Sequence, residues 1–168
     1  LGQGFEDVFA QYGALLGRVA NSYEANDALQ QELLQDIAIA VWQGLARFKG
    51  DSSVKTYILK IAHNRAVTHV ASQVKRIDTH HYDQDDIGSD GYVSHARSPE
   101  VETSQHQSLT RLLKAVRALP VQSRQVLTLS LEGLSYDEIA EVCGMTKNHV
   151  GVVLKRAKQS IKQEESRA

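Results

Sequence analysis

Residues 133–146 read Gly-Leu-Ser-Tyr-Asp-Glu-Ile-Ala-Glu-Val-Cys-Gly-Met-Thr, and few architectures accommodate that string. Ser135 followed three positions later by Glu138 is a capping box, in which each side chain takes up a free backbone N–H of a new helix. Ile139, Ala140 and Val142 give that helix an apolar side, and Gly144 supplies the backbone freedom to leave it. Thr146 is placed to cap a second helix. Beyond it Val150, Val153, Leu154, Ala157 and Ile161 fall at i, i+3, i+4, i+7 and i+11, the spacing of a buried stripe. The other face carries Lys147, Asn148, His149, Gly151, Val152, Lys155, Arg156, Lys158 and Lys162. Two helices joined by so short a turn form the helix-turn-helix unit, whose second helix enters the major groove of DNA. A basic and amide-bearing face suits phosphates and base edges. The competing reading is a structural helical hairpin whose basic face is merely solvated.

The rest of the chain reads as helical too. Two prolines and 6% aromatic residues accompany long 3.6-period apolar patterns, which predicts an all-α protein of one domain or two small ones. A first helix is implied by Phe5, Val8, Phe9, Tyr12, Leu15, Leu16 and Val19. A second spans about 26–48, with Leu29, Leu33, Ile37, Val41 and Leu45 at steps of four. Lys49-Gly50-Asp51-Ser52-Ser53 is a polar turn, and Ser52 or Ser53 is positioned to cap a third helix. That helix carries Tyr57, Ile58, Ile61, Ala62, Val70 and Val74 and is expected to end near Arg76. Residues 78–107 lack periodicity, are rich in Asp, Ser, His and Gly, and read as a linker. Leu109, Leu112, Leu113, Val116 and Leu119 open a second domain, broken by Pro120, and a helix over about 123–132 precedes the helix-turn-helix. The organisation is therefore 1–77, a linker over 78–107, and 108–168.

The net charge of −1 conceals segregation. Acids dominate 1–46, where Arg18 is the single base. Bases dominate 47–76 (Arg47, Lys49, Lys55, Lys60, Arg65, Lys75 and Arg76 against Asp51), and acids return over 78–108, where Arg97 is alone. From Val142 onward six bases face two acids. Two basic blocks separated by an acidic one predict two nucleic-acid contacts and an intervening segment that avoids or imitates nucleic acid. No apolar run approaches the roughly 18 residues needed to span a bilayer, so no membrane insertion is expected. The start carries no signal-peptide pattern, and Leu1 in place of Met is consistent with a trimmed N-terminus. The single cysteine, Cys143, reads as a small buried thiol, and a cytoplasmic protein follows.

In both domains the chain resembles the extracytoplasmic-function class of bacterial RNA polymerase sigma factors. Leu119-Pro120, Arg124-Gln125-Val126-Leu127 and 131–140, with Val150 and Arg156-Ala157-Lys158, are similar to the family's region four. Leu33-Leu34-Gln35-Asp36, Val41-Trp42, Leu45, Phe48-Lys49-Gly50 and 56–64 are similar to region two. The implied fold is a region-two-like bundle of three to four helices and a region-four-like helix-turn-helix domain, joined by the acidic linker.

The resemblance also implies roles. Gln35 and Asp36, with Ile39 and Trp42, would dock on the clamp coiled coil of core RNA polymerase, while region four would meet the flap; packing in the core is the other reading of Trp42. Phe48, Lys49, Gly50, Asp51, Ser52 and Ser53, with Tyr57 and Asn64, correspond to the elements that read the −10 sequence and hold a flipped-out base. An unstacked base needs an aromatic or amide partner and nearby cations. Lys55, Lys60, Lys75 and Arg76 would supply phosphate contacts. For the −35 element the candidates are Thr146, Lys147, Asn148, His149, Val152, Lys155, Arg156 and Lys158. The chain departs from the family where polar or basic side chains are replaced by Gly151, Val152 and Val153; valine can pack on a thymine methyl. It departs again at Tyr57-Ile58, often Trp-Leu, and at Thr68 and Ala71, often Asp and Arg. Asp83, Asp85, Asp86, Asp90, Glu100 and Glu102 suit a nucleic-acid mimic threading polymerase channels, or else a solvated tether.

The implied activity is promoter-specific initiation with promoter melting. The implied partners are core polymerase, promoter DNA and an anti-sigma factor. No catalytic residue, cofactor or metal is expected; His80, His81 and neighbouring Asp residues match no standard ligand spacing. A polymerase-independent helix-turn-helix regulator remains the alternative, and an enzyme with a site among the linker His and Asp residues is a distant third.

Overall fold

The computed structural model describes residues 4–82 and 104–167. Seven α-helices and no strand occur among the described residues: α1 (Phe5–Tyr23), α2 (Asp27–Leu45), α3 (Val54–Tyr82), α4 (Ser104–Ala118), α5 (Val121–Leu131), α6 (Tyr136–Cys143) and α7 (Lys147–Arg167). The first three form one bundle and the last four a second.

Local chemistry sets the ends of these helices. Asn26 caps α2 by accepting from the Leu29 N–H at 3.0 Å. Of the two serines before α3, Ser53 is the cap, its Oγ accepting from the Thr56 N–H at 3.1 Å. Pro120, which has no N–H to continue α4, stands at the N-cap of α5. Gly133 (φ +86°) and Gly144 (φ +64°) adopt the left-handed conformation that ends α5 and α6. At each, a backbone N–H reaches back five residues, Leu134 to the Leu129 carbonyl and Met145 to that of Ala140.

The expected stripes are largely buried: Val8, Leu15, Leu16 and Val19 in α1; Leu33, Ile37 and Val41 in α2; Val150, Val153, Leu154 and Ala157 in α7, with Ile161 half-buried. Three features differ from expectation. Helix α2 stops at Leu45 rather than near Phe48, because residues 46–47 turn. Helix α3 passes Arg76 and continues to Tyr82, and α4 begins at Ser104, so both enter the span read as linker. In α3 the inward face is Ile58, Leu59, Ala62, His63 and Ala66, while Val74 is exposed. The acidic-mimic residues Asp83, Asp85, Asp86, Asp90, Glu100 and Glu102 lie outside the described residues.

The two bundles pack against each other, α1 on α4 and α5, and α3 on α5 and α6. At the centre of this seam the Tyr23 hydroxyl and His63 Nδ1 share a hydrogen bond of 2.7 Å, both groups buried. The Arg124 guanidinium lies 5.4 Å from the centroid of the Tyr23 ring and donates to the carbonyls of Arg117 and Leu119 at 2.7 and 3.1 Å. A buried cation is thus met by a π face and by the free carbonyls at the end of α4. Arg117 adds a clamp to α1, donating to the Asn21 carbonyl at 2.9 Å and to Asn21 Oδ1 at 2.6 Å.

Burial pushes the His63 pKa down from 6.5 to about 3. The unfolded chain therefore takes up a proton at this ring in a pH range where the folded chain does not. The neutral ring's contribution is complete above 6.5 and is lost progressively as pH falls towards 3. Urea unfolding midpoints should drop from neutral to mildly acidic pH, and a His63→Leu variant should show a smaller drop; an equal drop would remove His63 as its source.

Candidate nucleic-acid interface

Helix α2 is amphipathic because its buried residues recur on one side, which leaves Gln35, Asp36, Ile39 and Trp42 together on the other. All four are exposed, Ile39 by 55% and Trp42 by 59%. Core packing is therefore not the role of Trp42. Two large apolar side chains displayed beside an amide and a carboxylate have the composition of a docking surface. Asp36 also lies 3.7 Å from Arg65 of α3, an exposed pair of little energetic weight.

The second group surrounds the α2–α3 turn. Lys49, Gly50, Asp51 and Ser53 are exposed, and Phe48 and Ser52 half-buried. The Phe48 and Tyr57 rings pack with centroids 4.8 Å apart, and the Tyr57 hydroxyl donates to the Gly44 carbonyl at 2.8 Å. Tyr57 is thereby fixed between the helices as a rigid ring. It shares a cleft of about 270 Å³ with Gln43, Arg47, Asn64 and Arg65, and Asn64 is exposed. The sequence marks Tyr57 and Asn64 for this surface and Arg47 and Arg65 only as members of the basic block; the pairing of α2 with α3 brings those two arginines, and Gln43 with them, to the same cleft. Lys60, Lys75 and Arg76 lie exposed farther along α3. Lys55 is half-buried and turned towards the second bundle, its Nζ donating to the Glu132 carbonyl at 2.6 Å.

The third group is the outer face of α7. Ser135 and Glu138 form the expected capping box, with hydrogen bonds of 3.2 and 3.1 Å, and Thr146 caps α7 through the His149 N–H at 3.2 Å. The bonds from Ser135, and then the Thr56 hydroxyl, hold the Glu138 carboxyl below the usual carboxylate range. Thr146, Lys147, Asn148, His149, Val152, Lys155, Arg156 and Lys158 are all exposed. Tyr136, Gly151, Lys155, Lys158 and Lys162 line a shallow cleft of about 390 Å³ beside them. Cys143 is half-buried and packs against the core, where burial pushes its thiol up to about 11 and leaves it a poor nucleophile. Among the described residues no group of His, Cys, Asp and Glu is arranged to hold a metal.

An exposed apolar patch on α2, a polar cleft at the α2–α3 turn and a capped helix-turn-helix thus occur in one chain. Residues 8–76 match the family described as Sigma-70 region 2, and residues 109–161 match Sigma-70, region 4. The chain belongs to the sigma-70 family of RNA polymerase sigma factors, in its extracytoplasmic-function class. It is 28% identical over 136 residues to the ECF RNA polymerase sigma-E factor of Escherichia coli (strain K12), covering 77% of this chain and 70% of that protein. It is 29% identical over 163 residues to the RNA polymerase sigma factor YlaC of Bacillus subtilis (strain 168), covering 94% and 89%. The sigma factor RpoE of Bartonella quintana, solved with the anti-sigma factor NepR, shares the fold at a TM-score of 0.69 and 20% identity, over 96% of both chains. No helix among the described residues of this sigma factor is long and apolar enough to cross a membrane.

The exposure pattern on α2 makes a stability prediction that separates surface from core. Trp42→Ala should change unfolding free energy by no more than about 0.5 kcal/mol, whereas Ile37→Ala on the buried side should cost about 2–5 kcal/mol. Urea denaturation of the two variants would check this, and a large loss for Trp42→Ala would contradict a surface role.

Proposed function

We propose that this sigma factor docks on the clamp coiled coil of core polymerase through Gln35, Asp36, Ile39 and Trp42. The first bundle, which extends past 77 to the end of α3 at Tyr82, reads and helps melt the −10 element. The second bundle, which begins at Ser104 rather than 108, contacts the flap and the −35 element. The −10 surface comprises Phe48, Lys49, Gly50, Asp51, Ser52, Ser53, Lys55, Tyr57, Lys60, Asn64, Lys75 and Arg76. Its rigid Tyr57 ring and exposed Asn64 supply the aromatic and amide partners that an unstacked base requires. The −35 surface is Thr146, Lys147, Asn148, His149, Val152, Lys155, Arg156 and Lys158.

The observation that carries this reading is that the three sets lie on separate segments: the outer face of α2, the α2–α3 turn with α3, and the outer face of α7. Every −35 candidate is exposed, and every apolar neighbour in its stripe is turned inward. The chain has no catalysis of its own; it acts in the cytoplasm by directing the polymerase. An anti-sigma factor is a further proposed partner, supported by the RpoE relative, which was solved with one. Transcription reconstituted from core polymerase, this chain and genomic DNA fragments should yield discrete start sites. Their absence would sink the reading.

Two variant sets test the surfaces. Gln35→Ala with Asp36→Ala should weaken core-polymerase binding without altering the far-ultraviolet circular dichroism spectrum, and unchanged affinity would remove those residues from the interface. Lys155→Ala with Arg156→Ala should weaken promoter binding and flatten the plot of log affinity against log salt by about two released counterions. An unchanged slope would count against a DNA-facing role for that end of α7.

A further inference from the structure

The seam between the two bundles falls on the end of α3 to which promoter contact has just been assigned. Lys55 donates to the Glu132 carbonyl at 2.6 Å. Its neighbour Thr56, 3% exposed, donates to Glu138 Oε2 at 2.9 Å. From α1, Arg18 grips the Glu132 carboxylate with two parallel bonds, Nε to Oε1 at 2.7 Å and a terminal nitrogen to Oε2 at 2.9 Å. Three donors of the first bundle thus converge on two carboxylates and a carbonyl at the α5–α6 turn of the second. Arginine's planar fork, a lysine and a hydroxyl at a helix start are the groups that bind phosphate oxygens. A carboxylate presents them with the same pair of anionic acceptors.

The closed arrangement is also incompatible with reading two separated promoter elements. Elements centred about 25 base pairs apart are separated by about 85 Å along B-form DNA. Helix α7 packs on α6, and α6 touches α3; at 8–10 Å per helix packing, the recognition helix lies within about 20 Å of α3. The bundles must part before both elements can be held.

We propose that Arg18, Lys55 and Thr56 form a phosphodiester-binding site for promoter DNA, which Glu132 and Glu138 fill in the closed chain, so that DNA and closure compete for the same donors. Arg18 and Thr56 thereby join the −10 surface, and the chain masks part of that surface by itself. The Arg18 side chain is 58% exposed, so water and salt weaken its grip on Glu132 and leave it displaceable. This inference rests on the promoter reading of the preceding subsection.

The test uses the full chain without polymerase, a mixed-sequence DNA duplex and a salt titration. Glu132→Gln with Glu138→Gln removes both masking charges, and glutamine at 138 can keep the capping box. Glu141→Gln with Glu165→Gln makes the same change in net charge at carboxylates away from the seam. Relative to that control, the seam variant should bind about fivefold tighter at low salt, with a slope steeper by about one or two released counterions. Adding Arg18→Gln should abolish the gain, and small-angle scattering should show both the seam variant and Arg18→Gln alone to be more extended than the parent. A gain no larger than the control's, a gain that survives Arg18→Gln, or an unchanged scattering profile would overturn the proposal. A parent chain that still directs reconstituted transcription would lose this site and keep its promoter role.

Discussion

The Tyr23 side chain joins the two halves of the molecule. Its hydroxyl meets His63 of the first bundle, and its ring face meets Arg124 of the second. Each contact offsets part of the cost of burying its partner, although His63 Nε2 and Arg124 Nε keep no hydrogen-bond partner among the described residues. The His63 ring stays neutral because burial penalises its charged form, while the Arg124 charge is met by a π face and by two carbonyls at the end of α4. Arg124 in turn fixes the α4–α5 corner, and from that corner α5, α6 and α7 follow in order. The orientation of the helix-turn-helix is thus tied to a single aromatic residue at the end of α1.

Around this buried anchor the seam mixes apolar and polar contacts. Buried side chains of both bundles form one continuous cluster, and Val19 of α1 shares a pocket with Leu112, Leu113 and Val116 of α4. The polar contacts become more exposed towards the rim. Arg117 clamps Asn21, Thr56 reaches Glu138, and Arg18 holds Glu132 at the rim. Hydrogen bonds of that kind exchange readily with water and with other anions. The interior of each bundle is by contrast apolar, from Leu16 and Ile37 to Ile139 and Val150.

Features decided within a few residues were legible in the sequence. The Ser135–Glu138 box, the turn at Gly144, the Thr146 cap and the α7 stripe depend on neighbours along one helix, and periodicity reveals them. Features decided between helices were not. His63 lies next to residues that mark the family, yet only Tyr23, forty positions away, shows why it is buried. The contacts of Arg18 and Thr56 are not legible in the sequence because their partners, Glu132 and Glu138, come from the other end of the chain. Trp42 could be core or surface on pattern alone, and its exposure decides for surface. Polarity after Arg76 reads as a linker, yet α3 continues to Tyr82 because nothing in 77–82 (no Gly, no Pro) stops a helix.

The run Gly151-Val152-Val153 shows how a fold can narrow a question that sequence leaves broad. By the resemblance alone, all three stand where the family often carries polar or basic side chains. Val153 is buried in the stripe with Val150 and Leu154, so it belongs to the core and was never available to a base. At Gly151 a Cβ would sit 3.5 Å from the Tyr136 ring, an ordinary contact, so the residue is half-covered by α6 rather than open to a groove. Only Val152, 46% exposed, projects outward among the exposed Asn148, His149 and Lys155. The departure from the family's pattern thus shrinks from three positions to one, and a lone apolar side chain framed by amide, imidazole and ammonium groups is suited to a thymine methyl flanked by phosphates.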